Sequence, residues 1–186
     1  PDHTPASRIA IYCARGAMRS GRLGTIFSSI GYRIDRVTGG YKSYRRWVLH
    51  YLDNLPDLDL IVLRGNTGCG KSELLEKLEN VIDLEGLANH YGSSFGAMRG
   101  EQPTQKAFQN ALVHTLMHID PTRPVFIEGE SKRIGKVVLP GTLYAQMSEG
   151  YQVRITAPLG QRIKRIVSLY TDTNTADFHH NMERIA

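Results

Sequence analysis

Residues 65–72 read GNTGCGKS and match the pattern G-x-x-x-x-G-K-[ST] at every fixed position. An apolar run, LIVL, precedes them, and a helical pattern, ELLEKL, follows. The glycines permit backbone angles that side chains forbid, so the loop can turn its N–H groups inward around an anion. The positive end of the following helix adds to this attraction. The succession of strand, loop and helix therefore predicts a phosphate-binding loop.

The residues of this loop have distinct expected roles. Its eight positions are Gly65, Asn66, Thr67, Gly68, Cys69, Gly70, Lys71 and Ser72. We expect the ammonium of Lys71 to reach the outer phosphates and the hydroxyl of Ser72 to ligate Mg²⁺. Cys69 stands at a variable position, where we interpret it as a small residue rather than a nucleophile. A chance glycine turn is the alternative, and the complete strand–loop–helix context argues against it.

A phosphate loop usually has an acidic partner at the end of a neighbouring strand, which holds the metal. The segment PVFIEGE places Glu128 and Glu130 after an apolar run. Glu128 is the preferred residue for binding Mg²⁺ or positioning water. The alternative, in which one of these carboxylates pairs with Lys132 or Arg133, is about equally supported by the sequence.

A second glycine-containing loop carries Cys13, which ends a predicted strand and is followed by ARGAMRS and a predicted helix. The helix N-terminus, Arg15 and Arg19 would all favour the thiolate over the thiol. A carrier of persulfide or perselenide needs such a thiolate, which must attack and then hold a polarisable anion. The alternative is a buried, inert cysteine.

Strands alternate with helices along the chain, which predicts α/β architecture with a largely parallel sheet. We predict strands at 8–13, 33–37, 60–63, 81–84, 124–127 and 151–156. We predict helices at 19–30, 41–52, 71–78, 104–118, 139–148 and 158–170. The stretch 85–100 is predicted as a loop with some helix, and the polar end of the chain as a terminal helix. The polar segment 53–59 contains Pro56 and marks the predicted domain boundary.

Composition sets broader limits on the function. The net charge of +5 and the pI of about 9.3 suit a polyanionic partner such as tRNA, and equally suit a slightly basic cytosolic protein. Two cysteines do not make a disulfide framework, so we expect a reducing, cytoplasmic setting. No apolar run approaches a membrane span, and the first residues do not resemble a signal peptide, so no membrane partner is expected.

Several phrases resemble the tRNA 2-selenouridine synthase family, in the same order. They are CARGAMRS, GGYKSYRRWVL, GNTGCGKSELL, DLEGLANHYGSSFG, QPTQKAFQN and EGESKRIGKVVLP, and together they run from about residue 9 to residue 165. DLEGLANH and GSSFG are far more specific than the phosphate loop. The resemblance implies a P-loop NTPase-like parallel sheet with flanking helices at 56–186. It also implies that 1–55 form the C-terminal half of a rhodanese-like α/β domain.

The resemblance further implies an activity: replacement of sulfur by selenium in 2-thiouridine at the wobble position of certain tRNAs. Selenophosphate would be the selenium donor, so a selenophosphate-producing enzyme is an implied partner. The family is also linked to geranyl transfer from geranyl diphosphate onto the same sulfur, giving an S-geranyl intermediate that selenium displaces. A Mg²⁺ ion would accompany the phosphate loop.

Carried over by position, Cys13 matches the family's rhodanese cysteine and Lys71 its phosphate-loop lysine. Further implied site residues are Asp83, Glu85, His90, Ser93, Ser94, Glu128, Glu130, Ser131 and Arg133. Ala17 and Gly129 depart from the family's more frequent glycine and aspartate, and the second leaves open which carboxylate binds metal. Structural alternatives stand beside these roles: Asp83 and Glu85 as caps, and His90 as a packed histidine.

Two features leave the function open. A rhodanese module has several elements before its active-site loop, so we expect the sulfur-handling domain to be truncated, disordered or completed by another chain. The segment 41–47, YKSYRRW, suits RNA stacking and charge neutralisation, or equally a helix that packs Tyr44 and Trp47 on the core. The competing functions are a generic P-loop kinase or NTPase, for which no base-binding motif is evident, and a non-catalytic tRNA-binding module.

Overall fold

A computed structural model describes residues 8–16, 18–90 and 101–171 of the chain, with side chains described up to residue 168. The chain forms two compact units, Pro1–Tyr51 and Leu52–Ala186, and each is described by itself. The predicted terminal helix lies outside the described residues. No helix in the described ranges is long and apolar enough to cross a membrane.

The first unit alternates strand and helix. Its elements are β1 (Arg8–Ile11), α1 (Met18–Ser29), β2 (Arg33–Arg36) and α2 (Gly40–Asp53), the last of which ends just inside the second unit. β1 and β2 pair in parallel, with Ile9 opposite Ile34. This pair is the whole of the sheet in the described part of the unit. The crossover helix α1 connects the two strands, as parallel pairing requires.

The second unit is built on four parallel strands. Its elements are β3 (Leu60–Arg64), α3 (Lys71–Leu75), β4 (Val81–Ile82), α4 (Leu84–Ala88), α5 (Gln105–Leu116), β5 (Val125–Glu128), β6 (Arg133–Ile134), β7 (Val137–Val138), α6 (Gly141–Glu149), β8 (Tyr151–Arg154) and α7 (Leu159–Thr171). The strand order is β4-β5-β3-β8. β3 and β5 are central and buried on both faces, which explains their continuous apolar runs. This unit has the predicted α/β, P-loop NTPase-like fold.

The core of this unit lies between the central strands and the flanking helices. The fully buried side chains on these elements include Leu60, Val62, Val125, Ile127, Phe108, Leu112, Leu143 and Met147. Burial of one such side chain contributes roughly 1.5–3 kcal/mol. The parallel register aligns Leu63 of β3 with Glu128 of β5, so the carboxyl ends of both central strands meet at the phosphate loop.

The β6–β7 hairpin, which the sequence did not predict, is held by two glutamine side chains. Gln105 donates to the carbonyl of Val138 at 2.8 Å and accepts from the N–H of Val138 at 2.8 Å, so its amide replaces a neighbouring strand. Gln102 donates to the carbonyl of Ile134 at 3.2 Å and accepts from the N–H of Lys136 at 2.7 Å. The QPTQ phrase therefore has a structural role in this fold.

Eleven of the twelve predicted strands and helices agree with the structure to within two residues at each end, and the helix predicted at 71–78 is the exception. The predicted strand at 81–84 is wrong at its end, since β4 stops at Ile82 and Leu84 begins α4. The reason is Asp83, whose carboxylate accepts the N–H of Gly86 at 2.7 Å and caps the helix. The helix predicted at 71–78 ends at Leu75, because the N–H groups of Lys77 and Leu78 bond only three residues back.

Candidate functional site

The phosphate loop connects β3 to α3, as its motif predicts. Gly68 and Gly70 have φ angles of 76° and 96°, in the left-handed region that favours glycine. A Cβ on Gly65 would lie 2.4 Å from the carbonyl oxygen of Ile155. Cys69 is buried beside Gly65, and its N–H donates to the carbonyl of Asn66 at 3.1 Å, which closes the turn. The glycines are therefore required by the backbone geometry.

Lys71 folds back over the loop that it terminates. Its ammonium donates to the carbonyl of Gly65 at 3.0 Å and is partly buried. The positive charge is thus held at the mouth of the loop, where a bound phosphate would attract it. Lys71 also lies near Glu85 and Glu130, and its charge opposes the rise in their pKa values.

A cluster of carboxyl groups faces the start of α3. The hydroxyl of Ser72 lies 3.3 Å from Glu128 Oε1 and 3.4 Å from Glu85 Oε2. The second oxygen of Glu128 accepts the backbone N–H of Glu85 at 2.9 Å. Glu128 is fully buried and Glu85 nearly so. Three segments that are distant in sequence therefore meet at one point below the loop.

The cluster holds more negative charge than its surroundings neutralise. Burial and then the charge of Glu85 raise the pKa of Glu128 to about 8. Burial and then the charge of Glu130 raise the pKa of Glu85 to about 7. Burial and then the charge of Glu128 also raise the pKa of Glu130. The site therefore favours protons, or a cation in their place.

The oxygen atoms of Ser72 and Glu128 suit Mg²⁺ as ligands. Ser72 and Glu128 present oxygen atoms, which this ion prefers, in a cluster with excess negative charge. Within the described ranges, no three His, Cys, Asp or Glu residues are arranged to hold a metal. A Mg²⁺ ion here would therefore complete its shell with water and ligand phosphates, as is usual for this ion. A Cβ on Gly129 would lie 2.6 Å from Cγ of Arg64, whereas the neighbouring Glu128 lies 3.3 Å from the Ser72 hydroxyl.

The remaining predicted residues of this unit divide between the cluster and other places. Asp83 caps α4, and Arg133 is exposed on β6, where its carbonyl accepts the hydroxyl of Ser131. His90 packs beside Gly135, and burial lowers its pKa. Its Nδ1 atom is buried and has no hydrogen-bond partner among the described residues. Ser93 and Ser94 lie outside the described residues.

The alternative pairing of Glu128 or Glu130 with Lys132 or Arg133 is not among the ion pairs of the described residues. Both oxygens of Glu128 are instead engaged with Ser72 and Glu85. The structure therefore brings together Lys71, Ser72, Glu85, Glu128 and Glu130 at the loop.

Cys13 lies in a separate cavity in the first unit. The cavity has a volume of approximately 420 Å³ and is lined by Cys13, Ala14, Arg15, Met18 and Arg19. The thiol is half-buried, and the buried hydroxyl of Ser20 lies 3.4 Å from its sulfur, in position to donate. The two predicted arginines are exposed and line the cavity that contains this sulfur.

The first turn of α2 supports the cysteine loop. Tyr41 donates its N–H to the carbonyl of Cys13 at 3.0 Å, and Lys42 to the carbonyl of Ala14 at 3.1 Å. A Cβ on Gly40 would lie 2.0 Å from the carbonyl oxygen of Cys13, so this backbone contact requires glycine. The sequence pattern did not predict this role for Gly39 and Gly40. The missed signal is the pair of glycines directly before a helix.

Four aromatic rings follow one another along α2. The centroids of Tyr41, Tyr44, Trp47 and Tyr51 are separated by 6.0, 5.9 and 5.7 Å in turn. Tyr44 and Trp47 are 36% and 42% exposed, so they do not pack into the core.

The unit that contains these rings is strongly basic. Pro1–Tyr51 has nine Arg and Lys against two Asp and Glu, a net +7, whereas Leu52–Ala186 has fourteen against sixteen, a net −2.

The parallel sheet, the glycine loop between β3 and α3 and the flanking helices together define a protein of the P-loop NTPase-like fold class. Residues 58–186 match the family described as the tRNA 2-selenouridine synthase AAA domain, and the chain belongs to this family. No solved structure is significantly similar to the chain.

Curated relatives are similar over most of the chain. The tRNA 2-selenouridine synthase of Psychromonas ingrahamii is 38% identical over 170 residues, which are 91% of this chain and 47% of that protein. The enzyme of the same name from Hydrogenovibrio crunogenus is 38% identical over 90% of this chain and 49% of its own length. The tRNA 2-selenouridine synthase of Sulfurovum sp. is 41% identical over 83% of this chain and 43% of its own length. The chain thus spans about half the length of these relatives.

Proposed function

We propose that this protein acts in a tRNA-modifying transferase that replaces sulfur by selenium in wobble 2-thiouridine, through S-geranylation followed by selenation. The proposal is carried by one observation: the phosphate loop, with Lys71 and Ser72 above a buried carboxyl cluster, lies in a chain of the tRNA 2-selenouridine synthase family. The names of the curated relatives support the selenium chemistry.

In the first step, geranyl diphosphate would place its diphosphate in the loop. The thiocarbonyl sulfur of the base attacks C1 of the geranyl group, the C–O bond breaks, and diphosphate leaves with the electron pair. Lys71 and the loop N–H groups would stabilise the charge that develops on the leaving group. Mg²⁺ held by Ser72 and Glu128 would neutralise part of that charge. No protein nucleophile is needed for this step.

In the second step, selenium enters at C2 of the base. The selenium of selenophosphate attacks C2, the C2–S bond breaks, and geranylthiol leaves. Hydrolysis of the P–Se bond then releases phosphate and leaves selenium on the base. We propose that Cys13 contacts selenophosphate during this step without forming a bond to selenium, in the cavity lined by Arg15 and Arg19. Its half-buried sulfur and its bonding position to Ser20 support this role.

The substrate would be a tRNA with 2-thiouridine at the wobble position. The net +7 of Pro1–Tyr51 supports a polyanionic partner. Selenophosphate would come from a selenophosphate-producing enzyme, and the setting would be the cytoplasm, where thiolated tRNA occurs.

The test is to incubate the intact protein with thiolated tRNA and geranyl diphosphate, and then with selenophosphate. The tRNA is digested and its nucleosides are identified by mass spectrometry. We expect S-geranyl-2-thiouridine in the first stage and 2-selenouridine in the second. Unmodified 2-thiouridine in both stages, with ATP hydrolysis instead, would favour a generic NTPase. Tight tRNA binding without either product, unchanged by loss of Lys71 and Cys13, would favour a non-catalytic module.

A further inference from the structure

The helix α7 lies directly against the phosphate loop. A Cβ placed on Gly68 would meet the carbonyl oxygen of Arg162 at 2.6 Å. One turn further along α7, a Cβ on Gly70 would lie 3.4 Å from the guanidinium carbon of Arg165. This packing fixes the positions of two arginine side chains at the edge of the loop. Neither arginine was predicted from the sequence as a site residue, because arginines on a surface helix are common.

Both arginines are bonded to the loop or to the helix that follows it. Arg162 Nε donates to the carbonyl of Thr67 at 3.0 Å, and Arg165 Nη1 donates to the carbonyl of Gly68 at 3.4 Å. Arg165 Nε also lies 3.0 Å from Glu73 Oε1. A guanidinium has five N–H donors, so these bonds engage only part of each side chain. The two half-buried arginines therefore bring fixed positive charge to the loop.

The charge balance of the site gives these arginines a further role. A diphosphate brings several negative charges, and the loop supplies one lysine together with neutral N–H groups. Below the loop, Ser72 faces the carboxyl groups of Glu85 and Glu128, which supply no positive charge to a ligand. Additional cations are therefore needed on the ligand side of the loop. Arginine suits this role because its planar fork matches the geometry of phosphate oxygens.

We propose that Arg162 and Arg165 belong to the phosphate site and bind the outer phosphate of a diphosphate ligand, beside Lys71. The inference rests on the proposed function only in taking a diphosphate as the ligand. Prenyl diphosphates, nucleotides and free diphosphate share this chemistry. Binding of geranyl diphosphate, ADP and inorganic diphosphate to the wild-type protein distinguishes these sources by their order of affinity.

The test is calorimetric titration of the full chain with inorganic diphosphate and, separately, with inorganic phosphate. We expect Arg162→Ala and Arg165→Ala each to weaken diphosphate binding by about ten-fold or more, the usual effect of a lost charge-assisted hydrogen bond. The loss for inorganic phosphate should be smaller, since one phosphate occupies the inner position. Arg165→Lys, which retains the charge, should recover part of the affinity. Lys164→Ala is the matched control, because this exposed residue on the same helix should leave both affinities unchanged.

Two results would overturn the assignment. Arginine variants that bind diphosphate as tightly as the wild type would contradict it directly. Equal losses for phosphate and diphosphate, with no recovery in Arg165→Lys, would mean that the arginines only support the loop backbone. Lys71→Ala separates this failure from failure of the proposed function. If wild-type protein binds diphosphate and Lys71→Ala does not, the phosphate site stands even where the arginine assignment fails. If the wild type binds no diphosphate, both proposals fall.

Discussion

The phosphate loop and the cysteine loop lie on parallel sheets of different size. The loop at 65–72 lies on a four-stranded parallel sheet whose central strands are buried on both faces. The cysteine loop lies on a two-stranded parallel sheet. In the described part of Pro1–Tyr51, the buried residues are only Ser20, Gly24, Gly40 and Val48. Large apolar side chains such as Met18, Ile26 and Ile30 are more than half exposed there.

The two loops are therefore held by different sets of contacts. Parallel sheets are normally covered on both faces, and two strands alone are marginally stable. The phosphate loop is fixed by a core of its own unit, whereas the cysteine loop depends on a few backbone contacts with the start of α2. We therefore expect the two sites to respond independently to mutation.

The largest expected effect is a complete separation of the two products. Cys13→Ser in the intact protein should retain geranyl transfer and lose 2-selenouridine, because the base sulfur is itself the nucleophile for geranyl transfer. Lys71→Ala should lose geranyl transfer, because diphosphate is no longer neutralised. Nucleoside mass analysis of digested tRNA measures both products. A wild-type yield of 2-selenouridine from Cys13→Ser would contradict this separation of the two steps. Loss of geranyl transfer in a folded Cys13→Ser protein would contradict it as well.

Direct binding isolates the phosphate site from the chemistry. Lys71→Ala should weaken binding of inorganic diphosphate by about a hundred-fold, the upper range for a hydrogen bond to a charged group. Circular dichroism should remain that of the wild type, since Lys71 is a loop-edge residue. Lys77→Ala is the control, because this exposed lysine lies just beyond α3. A calorimetric affinity that Lys71→Ala leaves unchanged would remove the phosphate-loop assignment.

A substitution that strains the backbone at Gly40 should affect only the cysteine site. Gly40→Ala places a Cβ against the carbonyl of Cys13, at a φ of 60°, and should cost about 1–3 kcal/mol in backbone strain alone. We expect altered alkylation of Cys13, reduced selenation and unchanged diphosphate affinity. Gly141→Ala is the matched control, because its Cβ meets nothing within 4 Å, and it should be neutral or slightly stabilising. Loss of diphosphate binding in Gly40→Ala would contradict the independence of the two sites.

The smallest effect concerns tRNA. Arg46 lies on α2 in the basic unit, and Arg46→Ala, alone or with Arg45→Ala, should weaken tRNA binding modestly. The slope of log affinity against log salt should fall by about one per lost phosphate contact. Arg123→Ala is the control, because this residue pairs with Glu79 in the acidic unit. Fluorescence anisotropy across a salt series measures the slope. If the wild-type protein does not bind tRNA at low salt, or binds it with an affinity that does not change with salt, the result would argue against a tRNA substrate.

The elements that the sequence predicted well are those with a local signal. The phosphate loop follows from eight residues, because its glycines, lysine and serine act at fixed positions in one segment. The long helices and buried strands follow from apolar periodicity. Glu128 was recognised because it ends an apolar strand, and the family resemblance added Glu85.

The features that the sequence did not predict depend on contacts between distant segments. Arg162 reaches Thr67 across 95 positions, and nothing in the helical pattern of α7 marks it. Gln105 pairs with Val138 across 33 positions, so the β6–β7 hairpin has no local signature strong enough to predict. The strand at 81–84 was extended too far because the apolar Leu84 continues its pattern, while the cap formed by Asp83 decides its end.

The two oxygens of Glu128 have different neighbours, and this has a consequence for communication within the unit. One faces Ser72 at the start of α3, and the other holds the N–H of Glu85 at the start of α4. Rotation of this single carboxyl group therefore perturbs both helices at once. The carboxyl group of Glu128 thus connects the helix that follows the loop with the segment 83–90.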